Sequence, residues 1–419
     1  MEFGITRIWN ARLTFAPVPS GTIAQSNQQK TAETLVRLIV ATLIFGFAAV
    51  SSGVSAAEFS DAELVDLGHS YVQAVNQLDA EAIDALISTR HMAQNIANIV
   101  GDSTAQKQEL AQSFQSAIPT INRRILAELE RQNGKAVFLR VHEFDGMRGP
   151  LIRKSLGDGY NYVLLLPVRT ARTERGARIG DMYYATSGEL LSASIGIAAK
   201  LMTSPSETFL GKLFGANEVD RELASRFQEV GRLREQNKLR EAFDLLDQLQ
   251  GNTRNHRLIV MNTIQLASQL DDDLYREELR RLAKHHKDDP RAAFTLLDHY
   301  FYENDLDSAM SIIDLMEQSY GEDAVLNIMR ANVESARNRN DTALGFANTA
   351  VRLEPGNEDA QWTLLTLLVE SEMFVESVQV LQLLESEFGY IFARENFEAE
   401  ALYTDFVKSE EFAKWIKAP

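Results

Sequence analysis

Cysteine is absent from the 419 residues. That excludes disulfides, thiolate zinc sites, cysteine nucleophiles and lipoprotein-type acylation together. Proline is scarce, at 9 residues, while 8% aromatic and 45% hydrophobic residues argue for a folded chain rather than a low-complexity polymer. Basic residues run short toward the C-terminus. Residues 216–419 hold 22 Lys+Arg against 39 Asp+Glu, whereas 57–215 hold 16 against 18. An acidic surface repels phosphate backbones, so nucleic acid is not an expected partner of the second half. The longest apolar run, Leu38 to Val50, is shorter than the roughly 20 residues a spanning helix needs.

That run follows Arg37 and precedes small residues ending in Val54-Ser55-Ala56. A basic flank, a short apolar core and a small-residue ending predict a secretory signal cleaved after Ala56. The alternative is an uncleaved N-terminal anchor, the one membrane contact the sequence offers. Met1 to Glu33 would make a long leader before it, which suggests initiation near Leu35 or Val36 with 1–34 untranslated. The mature chain is then expected to be exported, to the periplasm of a bacterium. In the anchored alternative it faces the periplasm from the inner membrane.

Internal repetition dominates the second half. The segments 304–313, 340–349 and 372–381 align with Ala309, Ala343 and Ser377 in register, at one constant step. Phe294, Ile328 and Trp362 keep the same step in the preceding helices. Phe227 and Ala242 stand two such steps, less a single position, before Phe294 and Ala309, with a degenerate unit near 256–289 between them. A small residue lets a second helix approach the first closely, and a bulky one fills the gap to the next unit. Asp288-Asp289-Pro290 and Glu354-Pro355-Gly356 break the helices between units. The pattern resembles the tetratricopeptide family, whose unit is a helix-turn-helix of about 34 residues, and it covers 220–389. The resemblance implies an all-α solenoid that binds a protein or peptide partner on its concave face. Residues 390–419 do not repeat and read as capping helices for the open end.

Residues 58–202 read as an α+β domain, with 203–219 as a linker. Ser60-Asp61-Ala62-Glu63 is a capping-box pattern opening a helix with Leu64, Leu67, Tyr71, Val75 and Leu78 on one face. A short helix follows Asp79, and a longer helical stretch from Leu110 to Leu129 is expected to break at Pro119. Segments 135–143, 147–155, 160–169 and 178–185 alternate, with Asp145-Gly146, Gly157-Asp158-Gly159 and Gly176 between them. They predict a four-stranded antiparallel meander, and Gly188 to Met202 returns to helix. Helices followed by such a sheet resemble the nuclear transport factor two-like or SnoaL-like cone in pattern. Members of that group range from enzymes to interaction domains, so the likeness does not choose a function.

A cone could hold a pocket near Arg140, His142, Asn161, Tyr162, Asp181 and Tyr183, with Asp181 and His142 as a conceivable acid/base pair. The competing expectation is that these strand side chains face water. Ser192 to Gly196 lacks the first glycine of a nucleophile elbow, and no Walker-type loop occurs. His285-His286 beside Asp288-Asp289 is expected to be solvated at a helix end. Arg169, Arg172, Arg175 and Arg178 form one local basic feature, expected to be a solvated hairpin. The sequence therefore predicts a non-catalytic interaction scaffold with no catalytic residue, no metal and no cofactor. The rival readings are a ligand-binding or enzymatic cone and a membrane-anchored assembly factor.

Overall fold

The computed structural model describes residues 59–156, 159–169, 176–203 and 221–417. The expected signal and start region and nearly all of the 203–219 linker lie outside them. The chain divides into two compact units, with the boundary between His299 and Tyr300. An N-terminal α+β part with a five-stranded antiparallel sheet precedes a helical C-terminal region.

The α+β part opens with α1 (Asp61–Asn76), α2 (Ala80–Leu86), α3 (Thr89–Val100) and α4 (Thr104–Arg131). The expected capping box forms at α1. Ser60 Oγ accepts from the Glu63 N–H at 3.3 Å, and the Ser60 N–H donates to Glu63 Oε2 at 3.0 Å. Helix α3 was not expected, although Met92, Ile96 and Val100 recur every fourth residue and are buried. Helix α4 does not break at Pro119. Phe114, Ile118, Ile121 and Leu126 bury one stripe on both sides of it, and that burial outweighs the one backbone bond proline forgoes.

The sheet runs β1 (Lys135–Phe144), β2 (Met147–Leu156), β3 (Gly159–Val168), β4 (Arg178–Tyr184) and β5 (Glu189–Leu190), paired in that order. Four strands were expected; the fifth is the two-residue β5, which pairs with Tyr183 and Tyr184 before α5 (Leu191–Thr203) begins. Asp145 and Gly146 take φ of 50° and 72°, as a two-residue hairpin of this hand requires. Pairing slips between Leu166/Pro167 and Asp181/Ile179, leaving Gly180 as an extra residue in β4. A Cβ there would stand 2.4 Å from Val168 Cγ1, so only glycine fits this bulge.

One sheet face carries Ile152, Val163, Leu165 and Met182, in one core with Leu67, Tyr71, Ile96 and Ile118 of the helices. Leu151, Tyr162, Leu164 and Tyr183 alternate with these and are also buried. An antiparallel sheet can keep one face in water. This one does not.

In the same compact unit, α6 (Arg221–Glu235) pairs with α7 (Leu239–Asp247). After the short α8 (Gly251–Arg254), α9 (Arg257–Ala267) pairs with α10 (Asp272–His286). Ile197 and Ala198 of α5 share a core with Phe227, Val230, Ala242, Phe243 and Leu258. A single 3-10 turn (Pro290–Ala292) leads into α11 (Ala293–Tyr302), within which the two units meet in sequence.

The second unit contains α12 (Leu306–Tyr320), α13 (Ala324–Ala336), α14 (Asn340–Leu353), α15 (Glu358–Glu370) and α16 (Phe374–Phe388). It ends in α17 (Arg394–Glu398), two 3-10 turns and α18 (Glu410–Trp415). Four of the turns joining first and second helices share one geometry, the α9–α10 turn being the exception. Asn237, Asn304, Asn338 and Glu372 all have φ between 55° and 57°, and the last three follow one another at the repeat step. The residue after each donates to a carbonyl five residues back, as Arg339 does to Glu334 at 2.9 Å and Met373 to Leu368 at 2.9 Å. Asparagine tolerates the left-handed region better than most side chains, which explains its use at three of the four.

Second helices are one-sided: Ala343, Ala347 and Ala350 in α14, and Ser377, Val380, Leu381 and Leu384 in α16, are buried. The first helices α13 and α15 are buried almost all round. In α13 this includes Asn327, Arg330 and Glu334, and in α15 it includes Gln361. At the chain end, Phe397 is fully buried. Tyr403, Phe412 and Trp415 meet its ring edge-on at 5.1, 5.3 and 5.6 Å. Ser409 caps α18 by accepting from the Phe412 N–H at 3.1 Å.

Candidate functional site

Of the six residues expected around a pocket, strand register sets Arg140, His142, Tyr162 and Tyr183 on one face of the sheet and Asn161 on the other. Tyr162 and Tyr183 lie on the sheet face away from Ile152 and Val163, both buried, so the expectation that they face water fails. The Tyr162 ring is 5.6 Å from Phe294, so that repeat residue meets the sheet. Arg140 and His142 are half-buried near the far end of β1, and His142 pairs in register with Gly149. Asn161 is half-buried, and its Oδ1 accepts from the Thr186 N–H at 3.2 Å.

Asp181 is buried and serves α5. Its Oδ1 accepts from the N–H groups of Ser192 (3.1 Å) and Met182 (2.9 Å). Its Oδ2 accepts from Ser192 Oγ and from Asn95 Nδ2 at 3.3 Å. Burial pushes its carboxyl up, and these four hydrogen bonds pull it back. His142 is not among its partners, so the conceived acid/base pair is not formed. Carboxylate capping of a helix start is a structural task.

The repeat positions fall as follows. Ala242, Ala309, Ala343 and Ser377 are each 0% exposed, which is where a small residue permits close helix approach. Phe227, Ile328 and Trp362 are buried, while Phe294 is half-buried. The degenerate unit carries Tyr275 where one repeat step back from Ala309 would put a small residue. Its hydroxyl donates to Asp298 Oδ2 at 2.8 Å instead. The basic feature is not a free patch. Arg169 pairs with Glu63 at 3.0 Å and lies over the Phe59 ring, and Arg178 donates to the Ala85 carbonyl. Arg172 and Arg175 lie outside the described residues. His286 Nε2 donates to the Asn255 carbonyl at 2.7 Å, while His285 is exposed beside a cleft of about 460 Å³. No group of three or more metal-ligating side chains occurs among the described residues.

Two polar clusters escaped the sequence reading. In the first, Lys154 of β2 lies among Tyr71, Met182 and Tyr184 on the helix-covered side of the sheet. Burial pushes both phenols up, and for Tyr184 the neighbouring Lys154 charge partly offsets this. The second joins the β4–β5 turn to the helix pairs. Arg257 Nη1 donates to the Ser187 carbonyl at 2.8 Å, and its guanidinium lies 3.3 Å from Asp289 and 3.6 Å from Glu189. Ser194 Oγ donates to Glu189 Oε2 at 3.1 Å, and Glu189 Oε1 has no hydrogen-bond partner. Burial raises the Glu189 carboxyl well above the ordinary range against the pull of Arg257. Arg291 clasps Asp289 at 2.8 and 2.9 Å. It packs where a Cβ on Gly188 (φ 68°) would fall.

The second unit supplies a third feature. Residues 300–417 hold 8 Lys+Arg against 23 Asp+Glu, and none of the basic residues lies between Leu353 and Ala393. On α16 and the turn before it, Glu372, Met373, Val375, Glu376, Gln379 and Gln382 are exposed, with Val375 at 54%. No protein-family model matches the sequence, and no curated protein matches it.

Proposed function

We propose that the chain is a non-catalytic interaction scaffold, exported from the cell, whose helical region is a tetratricopeptide-like solenoid holding a protein or peptide partner. The observation that carries this reading is the recurrence of one left-handed turn at Asn304, Asn338 and Glu372 with a fully buried small residue five positions on. Such units expose long regular surfaces, which suit extended partners. A concave surface of first helices was the expected contact. Helices α13 and α15 leave little side chain free there, so the reading places the partner on the second helices. Their exposed acids favour a basic partner.

The test is crosslinking of the exported protein in its native envelope fraction, alongside a Glu372→Lys/Glu376→Lys variant. A defined protein recovered with the natural chain and lost with the variant is the expected result. The same proteins recovered from both, or none from either, would defeat the scaffold reading. Intact mass of the exported form should begin at Ala57; a mass retaining Leu38 to Val50 would favour the anchored alternative.

A further inference from the structure

Around Met182, hydrogen-bond donors outnumber good acceptors. Lys154 is 5% exposed, and its ammonium carries three N–H groups. Its hydrogen bond is to Tyr71 Oη at 2.7 Å, and it lies 5.1 and 5.7 Å from the Tyr71 and Tyr184 ring centres. Among the described residues no carboxylate lies within ion-pair distance of it. Asp181, the buried acid of β4, is taken up by Ser192, Met182 and Asn95. Both phenol oxygens stand within reach of the same thioether, Tyr71 Oη at 3.9 Å and Tyr184 Oη at 3.8 Å from Met182 Sδ. A thioether is a weak acceptor that a charged oxygen readily replaces.

An ammonium withdrawn from water with a neutral partner is costly unless an anion joins it. Among the described residues, the ammonium and two hydroxyls thus meet inside an apolar core with only two phenol oxygens and one thioether to accept from them, and no anion.

We propose that Lys154, Tyr71 and Tyr184 form a binding site for the carboxylate of a small organic acid. The ammonium supplies the opposite charge. The two hydroxyls turn from Met182 Sδ to the carboxylate oxygens, which accept several hydrogen bonds at once. Ile152, Val163 and Leu165 stand in the same packed core and would have to shift to admit an apolar body. The ligand class is therefore an aromatic or short aliphatic monocarboxylate. The site is independent of any partner on the helical region.

The experiment titrates the full chain with benzoate and hexanoate, using benzamide as the uncharged counterpart, and follows binding heat and Tm. The expected result is saturable binding of at least one acid, with benzamide at least about tenfold weaker. Lys154→Met should lose about tenfold or more of that affinity. Its ligand-free Tm should match or exceed that of the natural chain, because methionine fills similar space without a buried charge. Tyr71→Phe and Tyr184→Phe should each weaken the acid severalfold. Three results would overturn the proposal: no saturable binding of either acid up to about 10 mM, equal binding by Lys154→Met, or a lowered ligand-free Tm in that variant. The last would make the ammonium a structural donor to Tyr71.

Discussion

Replacing Arg257 with methionine should strip Glu189 of its nearest cation and leave a buried carboxylate behind. Glu189 is 3% exposed; it would keep only the Ser194 hydroxyl as a donor, with the Arg291 charge beyond. Asp289, the other acid facing Arg257, keeps both contacts to Arg291 and suffers less. Removing one member of a buried pair costs roughly 3–5 kcal/mol. In a compact unit of this size that is a fall in Tm of roughly 6–20 °C. The loss should depend on pH in a definite direction. Glu189 has a folded pKa above its ordinary 4.5, so its contribution favours folding fully below that value and fades as pH rises through the folded pKa. Without Arg257 the folded pKa moves higher still. The gap to the natural protein should therefore be small near about pH 5 and widest near about pH 8. Urea unfolding followed by circular dichroism at both pH values measures it, with hydrogen exchange at β5 and α9 reporting the local effect. Adding Glu189→Gln should recover more than half the loss at the higher pH. A loss below about 1 kcal/mol at about pH 8, or one equal at both pH values, would refute the reasoning.

Further expectations follow from the helix pairs and the bulge. Ala343→Leu, at a fully buried contact between α13 and α14, should cost about 1–3 kcal/mol by overpacking, measurable as a lower urea midpoint. Asn338→Val should cost about 1–3 kcal/mol through its left-handed backbone, whereas Asn338→Gly should be tolerated within about 0.5 kcal/mol. Phe397→Ala should lose about 3–5 kcal/mol and loosen the aromatic end of the chain, seen as altered Trp415 fluorescence. Gly180→Ala should destabilise the β3–β4 pair, detected as faster hydrogen exchange there, because its Cβ would strike Val168.

Local pattern read well where chemistry is local. The hairpin at Asp145-Gly146, the capping box at Ser60 and the repeat phase at Ala309, Ala343 and Ser377 are set by neighbours in sequence, and each stands where its residues indicate. Pro119 misled because tertiary burial of Phe114 and Ile121 overrides a single missing hydrogen bond. Helix α3 is hidden in sequence because Thr89, Arg90, His91 and Gln94 mask the spacing of Met92, Ile96 and Val100. The site residues failed for a different reason. Strand alternation divides side chains between two faces without saying which face is covered, and here both are. Lys154, a charge between Arg153 and Ser155 that nothing in the sequence marks as inward, is buried. Glu189 and Arg257 lie far apart in the chain, and only the fold brings them together.

The shared turn geometry also bears on how the helical region could change in length. Asn304 and Asn338 hold the same backbone conformation one repeat step apart, each between a first helix and a second. Excising the stretch from one to the other would join α11 directly to α14 through an unchanged corner. The shortened chain would keep its reading of first helix, corner and second helix. Duplication of the same stretch would lengthen it just as cleanly. Recombination at these corners can therefore add or delete whole units in one genetic event, without a new loop having to be invented.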